Sequence, residues 1–339
     1  LIYVIDMGSG PMHPLDLRRT FNFRRPPWIT VLLLVGVLSA CSPPRSNSDN
    51  SSHFRVALLT PGPISDAGWN AAAFDGLELI KNRLGAETAM VQTRSPADFD
   101  DSFRDFANRG FNLIFAHGYE YTDSAINLAR YFPNTYFVIS SGGAASKNVA
   151  SITFKVDDAA YIEGVLAGGV SKSGIAGAIG GVELPSIKLT FEGFKRGFLS
   201  VRPNGRLLTS YTGKFDDVGA AKEAALAQIS HGADILIHDA DAAGLGVFQA
   251  ASQAHIFAFG TIRNQNDVAP DVVLASAVSS TAEAFLKIAT EVKNHQFQAG
   301  MLEFGMKSGM VKVILNPKLE SRIPPAIIER ARKDELTFN

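Results

Sequence analysis

A chain of 339 residues, 46% hydrophobic and 19% charged, has the composition of a folded globular protein, which excludes a disordered or fibrous chain. The net charge is −1, and beyond residue 40 there are 28 basic against 31 acidic residues with no Lys/Arg run, which excludes the electrostatic footprint of a nucleic-acid binder. The single cysteine, Cys41, rules out a disulfide framework or a cysteine zinc site within the chain, and about 300 residues are long enough for two cores.

The first segment reads as an address. Arg18, Arg19, Arg24 and Arg25 precede an apolar run at 28–40, short of the about 20 apolar residues that span a bilayer. Basic residues, a short apolar run and small residues before a cleavage site make a secretory signal, so residues 1–40 are expected to be signal peptide with upstream sequence, Met12 being a candidate start. Leu38-Ser39-Ala40-Cys41 resembles the bacterial lipobox, which implies that Cys41 carries the lipid and that the protein is exported and anchored to a bacterial membrane. A buried structural cysteine is the other reading of Cys41. Residues 41–53 are polar, with two prolines and five serines between 42 and 52, and read as a tether.

From Phe54 the chain alternates. Strands are expected at 54–59, 88–92, 113–116, 136–140 and 150–154, with helices at 69–84, 97–108 and 124–131 between them. The second half has strands at 175–179, 207–211, 235–238, 256–259 and 272–275. Its helices are expected at 159–170, 187–200, 218–230, 244–252 and 281–295. Such alternation predicts an α/β fold with parallel sheets, whose ligands sit beyond the carboxyl ends of the strands.

Several segments together, RVALLTPGPISDAGWNAAAFDGL from Arg55, NVASITFKVDDAAYIEGVLAGGVSKSG from Asn148, GGVELPSIKLTFEGFKRGF from Gly180, FDDVGAAKEAALAQISHGADILIH from Phe215 and GLGVFQAA from Gly244, resemble the basic membrane protein, or purine nucleoside receptor A-like, family. Its members are lipid-anchored substrate-binding proteins of ABC transporters. The resemblance implies a type I periplasmic-binding-protein fold, two Rossmann-like lobes with parallel sheets joined by a three-crossing hinge. On that analogy residues 54–158 and 278–300 form one lobe and 159–277 with 301–339 the other.

The family's first βα loop carries an aromatic that stacks on a purine; here it reads Asp66-Ala67-Gly68-Trp69-Asn70. Trp69 offers a π-face and Asn70 both hydrogen-bond senses, while a core Trp beside a helix-capping Asp66 is the plainer alternative. Phe191 and Phe194 match the family's second-lobe aromatic stretch and equally suit the buried face of a helix. Glu183 follows a strand, as do Tyr119 and Glu120, and all three are candidate ligand contacts. Asp239 and Asp241 replace small residues of the family and could accept from a sugar or a base amine, or cap the next helix. After Phe259 the family shows two acids that help hold the sugar; here Ile262 and Asn264 stand in their places, which leaves a free base as open as a nucleoside.

No catalytic constellation appears. The histidines are dispersed, and the phosphate-cradling and nucleophile-elbow motifs are absent. A binding protein without enzymatic activity, cofactor or metal is therefore expected. It would be a monomer that carries a purine base or nucleoside to an ABC transporter permease. A lipoprotein sensor signalling through a membrane partner, a binder of a different small heterocycle and an extracytoplasmic nucleoside hydrolase are the alternatives.

Overall fold

The computed structural model describes residues 53–66 and 68–338, so the expectations for residues 1–52, Cys41 among them, lie outside the described residues. β1 (Arg55–Thr60) buries five of its six residues, the pattern of a parallel strand covered on both faces. α1 (Trp69–Leu84) stops at Gly85, whose φ of 63° lets its N–H return to the Lys81 carbonyl at 3.0 Å. β2 (Glu87–Gln92) leads to α2 (Pro96–Asn108), started by a reciprocal capping box between Ser95 and Asp98. Its Phe99, Phe103 and Phe106 recur at helical spacing and are buried. β3 (Leu113–Ala116), α3 (Thr122–Ala129), β4 (Tyr136–Ser140) and β5 (Val149–Phe154) follow.

The second half opens with α4 (Val156–Val170) and β6 (Ile175–Gly180), then α5 (Pro185–Val201), β7 (Arg206–Tyr211) and α6 (Val218–Ser230). β8 (Ile235–Asp239), α7 (Gly244–Ala254), β9 (Phe257–Ile262) and β10 (Val273–Ser279) complete the alternation. The chain then returns through α8 (Thr281–Lys293) and β11 (Met301–Phe304) before closing with β12 (Val311–Leu315) and α9 (Pro325–Glu335).

Two six-stranded sheets result. The first, ordered β11-β5-β4-β3-β1-β2, is parallel throughout. The second, β12-β10-β9-β8-β6-β7, is parallel except for β12 against β10. Alternation along each strand feeds two cores. Val56 and Leu58 join the cluster under α1 and α8, where Phe115 stacks on Phe285 at 3.9 Å. Ala57 and Leu59 join the phenylalanines of α2 on the other face. In the second half α4, α5 and α9 cover one face and α6 and α7 the other. This is the periplasmic-binding-protein architecture.

The halves are joined by three crossings, at Lys155, at Ser280 and at residues 305–310. The Lys155 N–H donates to the Phe304 carbonyl at 2.8 Å and the Ser280 N–H to that of Met310 at 2.7 Å, so the crossings brace one another. No helix among the described residues is long and apolar enough to cross a membrane.

Some boundaries differ from the sequence reading. α4 begins at Val156 rather than 159 and packs in the core of the second sheet, which puts the crossing at Lys155. Residues 301–304, placed above with the second lobe, are instead the edge strand of the first sheet beside β5. A four-residue edge strand has no local pattern that reports a partner so far back in the chain. β10 runs on to Ser279 through Ala275, Ser276 and Ala277, small residues of low strand propensity that lie at 0% exposure in the sheet interior.

α4 and α5 approach backbone to backbone. A Cβ on Gly164 would lie 2.0 Å from the Phe194 carbonyl oxygen, and one on Gly197 1.9 Å from that of Tyr161. Glycine at these positions lets the two helices meet directly.

Candidate functional site

The loop after β1 is organised by one carboxylate. Asp66 accepts from the backbone N–H groups of Gly68 (3.0 Å), Asn70 (2.8 Å) and Ala71 (2.9 Å), and from the Asn70 side-chain amide at 2.8 Å. Gly68 sits at the N-cap position with no side chain, and Asp66 supplies the missing cap. Its lone pairs are spent on the helix start, so Asp66 fixes where Trp69 and Asn70 point.

Trp69 and His117, at the end of β3, hold each other. Their rings stack at 3.9 Å with 22° between planes, and the indole N–H donates to the His117 carbonyl at 3.1 Å. His117 Nε2 lies 3.0 Å from the Trp69 carbonyl and so carries the hydrogen, which leaves Nδ1 to accept from the Ser140 hydroxyl at 2.7 Å. Burial lowers the His117 pKa to about 3, so the imidazole is neutral. The outcome is a half-buried indole whose second face is not occupied by His117.

The second half contributes three acids whose carboxyls are held above their ordinary range. Asp239 ends β8 at 7% exposure; burial pushes its pKa up to about 7, opposed by the Thr190 hydroxyl. Asp241 has φ 46°, a left-handed conformation tolerated by Asp, and its Oδ1 accepts from the Trp69 backbone N–H at 3.1 Å, which ties the halves together. Burial, then the charges of Asp66 and Asp239, raise its pKa to about 8. Gly68 has no room for a Cβ because the Asp241 carboxylate would lie 2.4 Å from it. The third acid, Glu163 of α4, is fully buried. Farther out, Arg263 pairs with Asp75 of α1 at 2.9 Å, a half-exposed bridge of small energetic weight.

The other sequence candidates lie as follows. Glu120 is partly buried, with its pKa raised by burial, and Tyr119 is exposed in the same turn. Phe191 and Phe194 are in the second-half core, Phe191 tilted against Tyr211 at 6.1 Å. Glu183 is exposed and paired with Lys188 at 2.7 Å. Asn264 is exposed and spends its carbonyl on the Asn266 N–H at 3.1 Å, a turn contact. Ile262 is buried with φ 69°, an outlying conformation for a β-branched residue. The structure brings Asp66, Trp69, Asn70 and Asp241 into one hydrogen-bonded group, with the Asp239 charge acting on Asp241, while Glu183 and Asn264 engage Lys188 and Asn266. Sequence reasoning did not reach Glu163, although a lone acid inside the apolar run of α4 was its signal. Among the described residues no group of His, Cys, Asp and Glu is arranged to hold a metal ion.

These shifts fix how stability follows pH. In the unfolded chain Asp239 and Asp241 ionise near 3.8, and His117 and His238 near 6.5. The raised acids keep protons that the unfolded chain has lost, so they erode stability as pH climbs from 3.8 toward 8. The buried histidines, lowered to about 3 and about 4, act oppositely until pH passes 6.5. Above that only the acids remain, with Glu163 acting in the same sense. The thermal midpoint is therefore expected to fall between pH 6.5 and 8, and Asp241→Asn to flatten the fall. Scanning calorimetry across that range checks it; an unchanged slope in the variant contradicts the Asp241 assignment.

The family model described as ABC transporter substrate-binding protein PnrA-like (Bmp) matches residues 54–336. A purine-binding protein of Brucella abortus (strain 2308) is 29% identical over 262 residues, 76% of this chain and 74% of its own length. Basic membrane protein A of Borreliella burgdorferi is 26% identical over 301 residues, 86% and 88% of the two chains. Among solved structures, an ABC transporter solute-binding protein from Aeropyrum pernix K1 superposes with a TM-score of 0.72 at 19% identity, covering 84% of this chain and 86% of that one. At that identity the likeness speaks for the fold.

Proposed function

The chain belongs to the PnrA-like family of ABC transporter substrate-binding proteins, and from that premise we propose that it captures a purine, as free base or nucleoside, between its halves for delivery to a membrane permease. The observation that carries this reading is the Trp69 ring, backed on one face by His117, with its indole N–H on the His117 carbonyl and the Trp69 backbone N–H on Asp241 at the junction of the halves. A rigid indole with one face against a fixed partner is a stacking platform for a flat heterocycle. Asn70 and Asp239 take the polar edge, Tyr119 and Glu120 form the rim, and Asp66 holds Trp69 and Asn70 in register. With Ile262 and Asn264 in place of two acids, contacts to a sugar fall to Asp239 and Asp241. Hinge closure about the three crossings excludes water from the bound ring.

A thermal-shift screen of residues 42–339 against purine bases, nucleosides, pyrimidines, sugars and amino acids tests the reading. A ligand at 100 times its Kd stabilises by about 2.7 kcal/mol, which for a chain of this size raises the midpoint by about 5 °C. Silence across all purines, with a shift for another class, overturns the purine assignment. Lipid anchoring is proposed through Cys41, on the lipobox resemblance. Cys41→Ser is expected to release the full-length protein from the membrane fraction; retention there removes the anchor from that residue.

A further inference from the structure

The start of α1 is capped from both halves of the molecule. The first four N–H groups at a helix start have no partner within the helix. Asp66 accepts from those of Gly68, Asn70 and Ala71, and Ala72 makes the first helical bond, to the Gly68 carbonyl at 3.0 Å. The Trp69 N–H is passed over. It donates instead to Asp241 Oδ1 at 3.1 Å, and Asp241 belongs to the second half, between β8 and α7.

The turn that carries Asp241 is anchored in its own half, where the Ala243 N–H donates to the Phe215 carbonyl at 2.9 Å. The approach to α1 is close: a Cβ on Gly68 would lie 2.4 Å from Asp241 Oδ1. A second contact crosses to the same helix. Arg263, just after β9, reaches Asp75, farther along α1, at 2.9 Å. Its loop is fixed by the buried Gln265, whose side-chain oxygen accepts from the Thr261 N–H at 3.1 Å and whose own N–H donates to the Ser276 hydroxyl at 3.0 Å. β8 and β9 are neighbours in the second sheet. Two adjacent strand ends of one half therefore grip a single helix of the other, through atoms of the chain itself.

We propose that Asp241 is a positioning residue that caps α1 from the opposite half and, with Arg263 on Asp75, latches the two halves together without ligand. The cap exists only while the halves meet. When the hinge opens, Asp66 keeps its backbone partners and the Trp69 N–H alone turns to water. The Trp69 carbonyl stays on His117, within the first half, in either form. The latch holds whichever compound the cleft takes, so it stands apart from the purine reading. Ligand enters the open form, and its apparent affinity is scaled by the fraction of the protein that is open.

The test is amide hydrogen exchange of the full-length chain, dialysed free of ligand and resolved to single residues. In the wild type the Trp69 amide is expected to be protected, with Asn70 and Ala71 as the internal reference. Asp241→Ala speeds exchange at Trp69 by about three- to tenfold, the weight of one hydrogen bond, and leaves Asn70 and Ala71 unchanged. Asp241→Asn, whose amide oxygen still accepts, keeps the protection. Arg263→Ala removes nothing that touches Trp69, yet speeds the same amide by about two- to fivefold because the halves part more often. An unprotected Trp69 amide in the wild type, or an unchanged rate in Asp241→Ala, overturns the latch. A rise shared equally by Asn70 and Ala71 means that the helix start frays as a unit, and overturns it too. Where Asp241→Ala fails to fold, the surface variant Arg263→Ala decides: an unchanged Trp69 rate there shows that the two contacts do not act as one latch and overturns the proposal.

Discussion

Trp69→Ala is expected to weaken purine binding by about 10- to 100-fold, the range that alanine replacement of a base-stacking aromatic gives. The loss comes from the stacking face alone. The backbone N–H that reaches Asp241 survives in alanine, as does the Asp66 cap, so the start of α1 stays in place. What the fold loses is the ring contact with His117 and the indole hydrogen bond to its carbonyl, worth a few degrees in thermal midpoint. Trp69→Phe keeps a ring without the N–H donor and is expected to fall between the two. Calorimetric titration beside a thermal melt of each variant separates affinity from folding. Full affinity in Trp69→Ala moves the ligand away from this platform.

Gly197→Ala is expected to cost about 3 kcal/mol or more, at the upper end of overpacking penalties because the obstacle is backbone and cannot rotate away. The added methyl would lie 1.9 Å from the Tyr161 carbonyl oxygen, so α4 and α5 must separate. For a chain of this length the thermal midpoint falls by about 5 °C or more. Gly143→Ala is the control, since nothing lies within 4 Å of its Cβ and its φ is not left-handed. A melt of Gly197→Ala indistinguishable from that control means the helices slide apart at no cost, contrary to the packing described.

Much of this fold is legible in the chain because buried parallel strands are short apolar runs and the helices between them carry single apolar stripes. β3, β4, α1 and α6 lie where periodicity places them. β11 does not, since its parallel partner is remote and only one of its own four residues is buried. Within the proposed site, Trp69 stands out in the sequence as a large aromatic just after a strand's carboxyl end, a position that a core Trp also fits. Phe191 shows the limit: a helical face that buries toward the sheet and one that lines a cleft share the same spacing. Glu183 and Asn264 show another, because an ion pair five residues on and an asparagine turn use the same atoms a ligand would. Asp241 reaches Trp69 through a left-handed backbone, and no side-chain pattern announces that geometry.

The three crossings carry a consequence for how such a protein can change. Because α8 and β11 return to the first sheet after the second is built, neither half is encoded by one uninterrupted stretch. A genetic exchange that swapped the middle of the chain would carry off β10, the partner strand of β12, and leave α9 beside a foreign α4. A replacement of a single residue at a strand end, such as Asp239 or Ile262, leaves both sheets and all three crossings as they are, which an exchange of whole lobes does not.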